Sequence, residues 1–288
     1  MFKVKLAQAY LNGKIDRFEI MKLAEVLSDL NKKALYASFE QIDFTCESQF
    51  NVLQTKRIKK KEVLQYFSLL LAAVYAVTNR RLASIFLNHY LACQNNTEFF
   101  KFLPKSKRKP FIMACGGLSG SGKSRVAREI APHIASPFGA IVIRDDIVRK
   151  QLAGVDFDTT LDERYYTPEN ERLVYKEMRR QAKQAILAGY SVILDALFYN
   201  VKEREKVEAL ALKLEVPFEA FWMEAPLAER ASRVETRLNN PSDVKKSSEL
   251  LVQLSQDVGL INWRHIDTSG EKDDTLKKVS VFLKRYLH

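Results

Sequence analysis

The sequence predicts an α/β fold, in which a parallel sheet with helices on both faces follows a small all-helical domain. Two observations carry this prediction. After residue 110, five short apolar runs alternate with amphipathic segments, which is typical of parallel strands joined by crossover helices. Before residue 110, apolar residues recur at intervals of three and four, as in Leu64, Phe67 and Leu71, which is typical of helices.

The chain of 288 residues is predicted to divide at a basic, proline-flanked stretch. We predict a helical domain over 1–104, a basic linker over 105–110 and an α/β domain over 111–288. Pro104 and Pro110 flank the linker and disfavour a helix through it. The predicted strands are 111–115, 140–143, 191–194, 218–222 and 263–266.

The excess positive charge belongs to the first part of the chain. Residues 1–110 contain 19 Lys and Arg against 9 Asp and Glu, whereas residues 111–288 contain 27 against 26. Two clusters, 56–61 and 105–109, supply much of it and are suited to nucleic acid, an acidic protein or anionic lipid. Solvated loops are the favoured alternative, because neither cluster is interleaved with the aromatic residues of a single-strand binder.

Composition excludes several classes of protein. Hydrophobic residues at 47% and charged residues at 28% are typical of a globular protein rather than a disordered chain or a coiled coil. No apolar run approaches the length of a membrane span, and the charged N-terminus is unlike a secretory signal, so we expect a cytoplasmic location. The three widely spaced cysteines predict neither a disulfide framework nor a zinc site.

A glycine-rich segment follows the first predicted strand. Residues 117–124 match G-x-x-x-x-G-K-S, the P-loop or Walker A pattern, and a helix is predicted directly after them. In such a loop backbone amides surround phosphate oxygens, Lys123 reaches the β- and γ-phosphates, and the Ser124 hydroxyl ligates Mg²⁺. The predicted ATP-binding residues are Gly117, Ser119, Gly120, Ser121, Gly122, Lys123, Ser124 and Arg125. A glycine-rich turn without a ligand is the alternative.

Carboxylates follow two further predicted strands. Asp195 ends the third strand, as in a Walker B element, and is a candidate Mg²⁺ ligand beside the P-loop. Asp145 and Asp146 follow the second strand, where ligands of open α/β sheets bind, and Arg149 lies one helical turn further on. One carboxylate is predicted to start the helix and the other to face an acceptor hydroxyl. Spacing alone leaves open which of them does so, and the alternative is that both only start the helix.

Arginines 230, 233 and 237 recur at intervals of three and four, which places them on one helix face. Such a row is suited to a lid that closes over polyphosphate and stabilises charge in the transition state. Surface ion pairs with Glu229 and Glu235 are the alternative.

Three other segments have less specific patterns. Residues 165–169 either line an acceptor pocket or only start a helix. His265-x-Asp267 is similar to the H-x-D of kinase catalytic loops, but it lies on a predicted strand and lacks the following Asn, so we assign it no catalytic role. Residues 268–270 are predicted to form a loop on the adenine side of the nucleotide.

Residues 111–288 resemble the P-loop kinase-like proteins of the zeta-toxin and polynucleotide-kinase neighbourhood, which are often fused to aminoglycoside-phosphotransferase-like domains. Besides the P-loop, the resemblance rests in order on residues 144–150, 166–169, 188–196, 217–226 and 240–243. It implies a P-loop kinase-like fold, with Asp146 as the base that activates the acceptor hydroxyl three residues before Arg149. Asp145 stands where the family usually has a small polar residue. The resemblance also implies Arg233 and Arg237 as lid arginines.

Segments 12–16 and 79–91 are similar to the helical end of the phosphotransferase-like partner domain. The H-x-D-x-x-x-x-N catalytic loop of such a domain is absent from the sequence. The resemblance therefore implies a retained helical cap or a partner-docking surface rather than a second kinase.

Together these patterns predict an ATP- and Mg²⁺-dependent phosphotransferase that acts on a hydroxyl of a small molecule, a nucleotide or a nucleic-acid 5′ end. The alternative is a nucleotide-binding switch whose basic helical domain docks a partner protein or nucleic acid. Asp146 and Asp195 favour the enzyme, because a switch has no need of an acceptor base. The acceptor and the choice between ATP and GTP remain open.

Overall fold

The computed structural model describes residues 108–134, 139–155, 159–236 and 257–287, together with Ser84 and Asn88. Within these residues the chain forms one five-stranded sheet. Its strands are β1 (Ile112–Gly116), β2 (Ile141–Arg144), β3 (Val192–Asp195), β4 (Phe218–Glu224) and β5 (Arg264–Asp267). Each predicted strand matches one of these to within two residues.

The strand order is β2-β3-β1-β4-β5, and every neighbouring pair is parallel. From β1 the chain crosses to β2 and β3 on one side, and after β3 it returns past β1 to β4. The direction of winding therefore reverses around β1, and ligands of open α/β sheets bind at the carboxyl ends of the strands at such a point. The P-loop follows β1 directly.

Six described α-helices connect and cover the strands. They are α1 (Lys123–Ile130), α2 (Asp145–Leu152), α3 (Pro168–Leu187), α4 (Val201–Lys213), α5 (Leu227–Glu235) and α6 (Lys272–Leu283). Short 3₁₀ turns lie at Ala131–His133, Glu163–Tyr166 and Lys284–Tyr286. None of the described helices is both long and apolar enough to cross a bilayer.

The two faces of the sheet contribute to separate apolar clusters. On one face, Ile112 and Ala114 of β1 belong to a buried cluster with residues of α3 and α4, including Met178. On the other face, Met113 and Cys115 belong to a cluster with residues of α1 and α6. Successive strand residues point to opposite faces, and both faces are covered, so β1 has to be apolar throughout. Burial of each large apolar side chain stabilises the fold by about 1.5–3 kcal/mol. The prediction of helices on both faces is confirmed.

The parts of the chain before β1 are described only in part. The predicted helical domain over 1–104 lies outside the described residues except for Ser84 and Asn88, which are both helical. At the end of the basic linker, Arg108 donates a hydrogen bond to the carbonyl of Leu287 at 2.9 Å. Of the three cysteines only Cys115 is described, and it is a buried free thiol whose pKa is raised by burial.

Candidate active site

The P-loop between β1 and α1 has a backbone that needs glycine. Gly117, Gly120 and Gly122 have φ values of +139°, +81° and +88°, which are rare for residues with a side chain. A Cβ at Gly117 would lie 2.5 Å from the carbonyl oxygen of Met223, and one at Gly120 would lie 2.5 Å from that of Arg230. The loop is therefore packed closely between the end of β4 and helix α5, which leaves no room for a side chain at Gly117 or Gly120.

Polar groups around this loop are suited to an anion. Lys123 is the first residue of α1 and is largely buried, and the first turn of α1 contains no acidic residue. The Ser121 hydroxyl is buried and has no hydrogen-bond partner among the described residues. Ser124 and Arg125 lie in the same first turn, so the sequence-predicted loop residues are together. A polyphosphate fits this arrangement, because the positive end of α1 points into the glycine-rich loop and the first turn of the helix carries no acidic residue.

Asp195 ends β3 and stands in register with Cys115 of the neighbouring strand β1. Its side chain is only 1% exposed, and Oδ2 accepts a hydrogen bond from Nε of Arg144 at 3.1 Å. Oδ1 is buried and has no partner among the described residues. A buried carboxylate oxygen with a free lone pair beside the P-loop fits a Mg²⁺ shell.

Sequence reasoning did not single out Arg144. It pairs in register with Asp195 across β2 and β3, and its Nη2 lies 3.5 Å from Oδ2 of Asp146. The sequence does show a basic residue at the end of one predicted strand and an acidic residue at the end of another. The two residues form an ion pair only because β2 and β3 are neighbours in the sheet.

The two adjacent aspartates at the start of α2 have different surroundings. Asp145 is largely buried, and its two oxygens accept hydrogen bonds from the backbone N–H groups of Asp146 at 2.8 Å and Leu197 at 3.2 Å. Burial, followed by the nearby charge of Asp146, raises the pKa of Asp145 to about 7, and Lys123 opposes this shift. Asp145 thus ties α2 to the loop after β3.

Asp146 is the more accessible of the two carboxylates, with a side chain that is 24% exposed. It is therefore better placed than Asp145 to meet an acceptor. Both residues lie in the first turn of α2, as the more conservative sequence interpretation also expects.

Arg149 lies one turn along α2 and contacts the aromatic segment before α3. Its Nη1 donates to the carbonyl of Tyr165 at 2.8 Å, and its guanidinium lies 4.7 Å from the centre of the Tyr166 ring. Nε is buried without a partner among the described residues. Thr167 caps α3 by accepting a hydrogen bond from the N–H of Asn170, so the segment starts a helix and also borders Arg149.

The arginines of α5 do not form a uniform exposed row. Arg230 is 5% exposed, and its Nε donates to the carbonyl of Ser119 at 2.9 Å. It therefore supports the P-loop from the side on which α5 packs. Arg233 is half-buried, pairs with Glu229 at 2.7 Å and lies 3.4 Å from the carbonyl of Gly120. The ion pair agrees with the alternative interpretation of this helix. Arg237 and the predicted turn at 239–243 lie outside the described residues.

Thr268, on the loop after β5, contacts the same structure. Its hydroxyl lies 2.7 Å from the carbonyl of Ser121 and 2.9 Å from that of Glu224, and Arg233 donates to its backbone carbonyl at 2.7 Å. The loop at 268–270 is therefore attached to the P-loop, which sequence reasoning did not show. His265 of β5, to which the sequence analysis assigns no catalytic role, has its Nδ1 2.9 Å from Oε1 of Glu224.

The loop after β3 is held in an uncommon conformation. Phe198 has a φ of +52°, and its N–H donates to the hydroxyl of the buried Tyr175 at 2.9 Å. Arg204 of α4 donates to the carbonyl of Phe198 at 2.6 Å. Positive φ at a bulky residue persists only where surrounding contacts fix it, and such residues cluster at functional sites.

Known proteins resemble parts of this chain. An uncharacterized protein of Mycobacterium tuberculosis is 31% identical over 163 residues, which are 55% of this chain and 32% of that protein. An adenylyl-sulfate kinase of Myxococcus xanthus is 35% identical over 118 residues, which are 41% of this chain and 59% of that enzyme. The chain thus spans about a third of the length of the first relative and less than two thirds of the second.

Two solved structures resemble the chain at low sequence identity. A gluconokinase from Sinorhizobium meliloti has a TM-score of 0.43 and 18% identity, covering 62% of this chain and 94% of that chain. A Mycobacterium tuberculosis APS kinase solved with AMPPNP and APS has a TM-score of 0.42 and 18% identity, covering 63% and 99%.

A family model described as an AAA domain matches residues 112–255, which are half of the chain and include β1 to β4 with the P-loop. The parallel sheet, the position of the P-loop after its central strand and the buried carboxylate on the neighbouring strand all agree with this match. The chain therefore belongs to the AAA_33 family of AAA domains, with a P-loop kinase-like fold.

Proposed function

We propose that the chain is a phosphotransferase that moves the γ-phosphoryl group of ATP, with Mg²⁺, to a hydroxyl group. The observation that carries this proposal is the buried Oδ1 of Asp195, which has no partner among the described residues and lies beside an intact P-loop. The accessible Asp146 is joined to Asp195 through Arg144. Phosphoryl transfer to an acceptor requires a carboxylate that binds the metal ion and a second, accessible carboxylate near the acceptor. Asp195 and Asp146 both lie at the carboxyl ends of neighbouring strands.

The P-loop at 117–124 holds the polyphosphate through backbone amides other than those of Gly117 and Ser121, which donate to the carbonyls of Leu197 and Leu118. Lys123 supplies a positive charge. Ser124 and Asp195 are the residues that would hold Mg²⁺, which supplies charge neutralisation on the phosphate oxygens when bound. Arg233, and by the family resemblance Arg237, contribute positive charge over the transferring group.

Asp146 accepts the proton of the acceptor hydroxyl. As the oxygen–hydrogen bond breaks, that oxygen forms a bond to the γ-phosphorus, and the bond between the γ-phosphorus and its bridging oxygen breaks to release ADP. Arg149, whose buried Nε has no partner among the described residues, orients the acceptor. The acceptor is a small molecule, a nucleotide or a nucleic-acid 5′ end. The excess of basic residues before residue 110 gives only modest support to the nucleic-acid end.

The test measures binding and turnover separately. ATP and GTP are titrated with and without Mg²⁺ into wild type, Lys123→Ala, Asp195→Asn and Asp146→Asn, and phosphorylated products are sought by mass spectrometry in added metabolites and RNA. We expect Lys123→Ala to lose nucleotide binding. In Asp195→Asn we expect nucleotide binding no longer to depend on Mg²⁺.

Asp146→Asn should keep binding and lose about 10²–10⁴-fold in turnover, the usual contribution of a general base. Asp274→Asn is the matched control, since Asp274 is an exposed carboxylate on α6 that pairs with Lys277. Tight Mg²⁺-dependent binding by wild type with no product from any acceptor would contradict the enzyme and indicate a nucleotide-dependent switch. Absence of nucleotide binding would contradict both.

A further inference from the structure

Strand β2 lies at an edge of the sheet. On its inner side, the N–H of Ile141 donates to the carbonyl of Ser191 at 2.9 Å, toward β3. Successive amides of a strand point to opposite sides, so the N–H of Val142 points away from β3. Among the described residues no other strand pairs with this open side. Unpaired edge groups of this kind need a partner or water.

The side-chain amide of Asn88 supplies that partner from a distant part of the chain. Its Oδ1 accepts a hydrogen bond from the N–H of Val142 at 2.7 Å, and its Nδ2 lies 3.3 Å from the carbonyl of Ala140. One amide thus offers β2 an acceptor and a donor, as the peptide of an adjacent strand would. Nδ2 also lies 2.9 Å from the carbonyl of the buried Ser84, which holds the amide from its own helix.

These contacts lie two residues before the charged end of β2. Arg144 follows Val142 and connects Asp195 with Asp146. The next residue, Asp145, binds the N–H groups of Asp146 and Leu197. A displacement of β2 along its open edge would therefore move the groups that we assign to metal binding and proton transfer.

We propose that Asn88 is a positioning residue, whose side-chain amide occupies the open edge of β2 in place of a further strand. This side chain thereby fixes the Arg144–Asp146 end of the strand. It follows that a residue from before the predicted linker helps to position the catalytic groups. The effect of Asn88 on turnover rests on the proposed function, whereas its effect on the position of β2 does not.

Amide hydrogen exchange of the full chain tests the structural part. In Asn88→Ala we expect exchange of Val142 to be about tenfold faster or more, and exchange of Asp146 to rise with it. Asn88→Asp keeps an oxygen for the N–H of Val142 but loses the donor to the carbonyl of Ala140, so it should retain part of the protection from exchange. This variant replaces Asn88→Ala in the test if Asn88→Ala folds poorly. Asn200→Ala is the matched control, because the Asn200 amide oxygen binds the N–H of Lys202 at the start of α4. It should leave β2 unchanged.

Turnover gives the second readout. Asn88→Ala should lower kcat about three- to tenfold and leave the KM for ATP nearly unchanged, because the P-loop follows β1 and not β2. Unchanged exchange at Val142 would overturn the docking, and faster exchange at Val142 without a change at Asp146 would overturn the positioning role. Unchanged kcat in an active enzyme would overturn it as well. If wild type transfers no phosphoryl group, the proposed function fails while the exchange data still decide this proposal.

Discussion

Replacement of Gly120 by alanine tests how tightly the P-loop is packed. Gly120 has a φ of +81°, and an added Cβ would lie 2.5 Å from the carbonyl oxygen and 2.8 Å from Cα of Arg230. These are backbone atoms of helix α5, so the contact cannot be relieved by rotating a side chain. Either the loop or the helix must move.

The expected cost has two parts. A residue with a side chain in the left-handed region costs about 1–2 kcal/mol. Forcing an extra carbon into a packed region adds about 1–3 kcal/mol. We therefore expect Gly120→Ala to lower the free energy of unfolding by about 2–5 kcal/mol, from both parts together.

Gly154→Ala is the matched control. Gly154 has a φ of +70°, but no described atom outside its chain neighbours lies within 4 Å of the Cβ it would carry. It therefore carries the conformational cost alone, about 1–2 kcal/mol. At about 2–4 °C per kcal/mol for a domain of 150–250 residues, the two variants should differ by several degrees in Tm.

Thermal unfolding and nucleotide titration of both variants provide the assay. Gly120→Ala should also lose nucleotide affinity by about tenfold or more, which corresponds to about 1.4 kcal/mol, because the displaced loop no longer directs its amides inward. Gly154→Ala should bind nucleotide as wild type does. Equal losses of Tm in the two variants, with unchanged affinity in Gly120→Ala, would refute the close packing of the P-loop against α5.

Two further perturbations follow from the same site. Because burial raises the folded-state pKa of Asp145 to about 7, the folded protein keeps this proton more firmly than the unfolded chain. Its contribution to stability is therefore full below about pH 4 and is lost as pH rises toward 7. Urea unfolding between pH 5 and 8 should show a smaller loss of stability with rising pH for Asp145→Asn than for wild type, and parallel curves would contradict the assignment. Arg230→Met removes the hydrogen bond to the carbonyl of Ser119 and should weaken nucleotide binding about five- to tenfold in a titration, which corresponds to about 1–1.4 kcal/mol and lies within the range for losing one typical hydrogen bond. Arg164→Met, at an exposed arginine that pairs with Asp162, should leave binding unchanged, and equal binding by both variants would argue against a P-loop support at Arg230.

Local sequence patterns predicted the strands and the P-loop well. The apolar runs of β1 and β3 are set by burial on both faces, so they are visible in the sequence without knowledge of their neighbours. The glycines of the P-loop are required by the conformation of their own residues, with φ values of +139°, +81° and +88° at Gly117, Gly120 and Gly122. Asp195 was predictable because it ends a recognisable strand.

Contacts between distant segments were not predictable in the same way. Arg144 becomes the partner of Asp195 only when β2 lies beside β3, and Arg230 becomes a P-loop support only when α5 packs behind that loop. Asn88 meets Val142 across 54 positions of the chain. The sequence by itself determined the elements, because propensity and periodicity act over a few residues. The tertiary structure decided which charges are paired and which carboxylate is buried, because those depend on segments brought together only by folding.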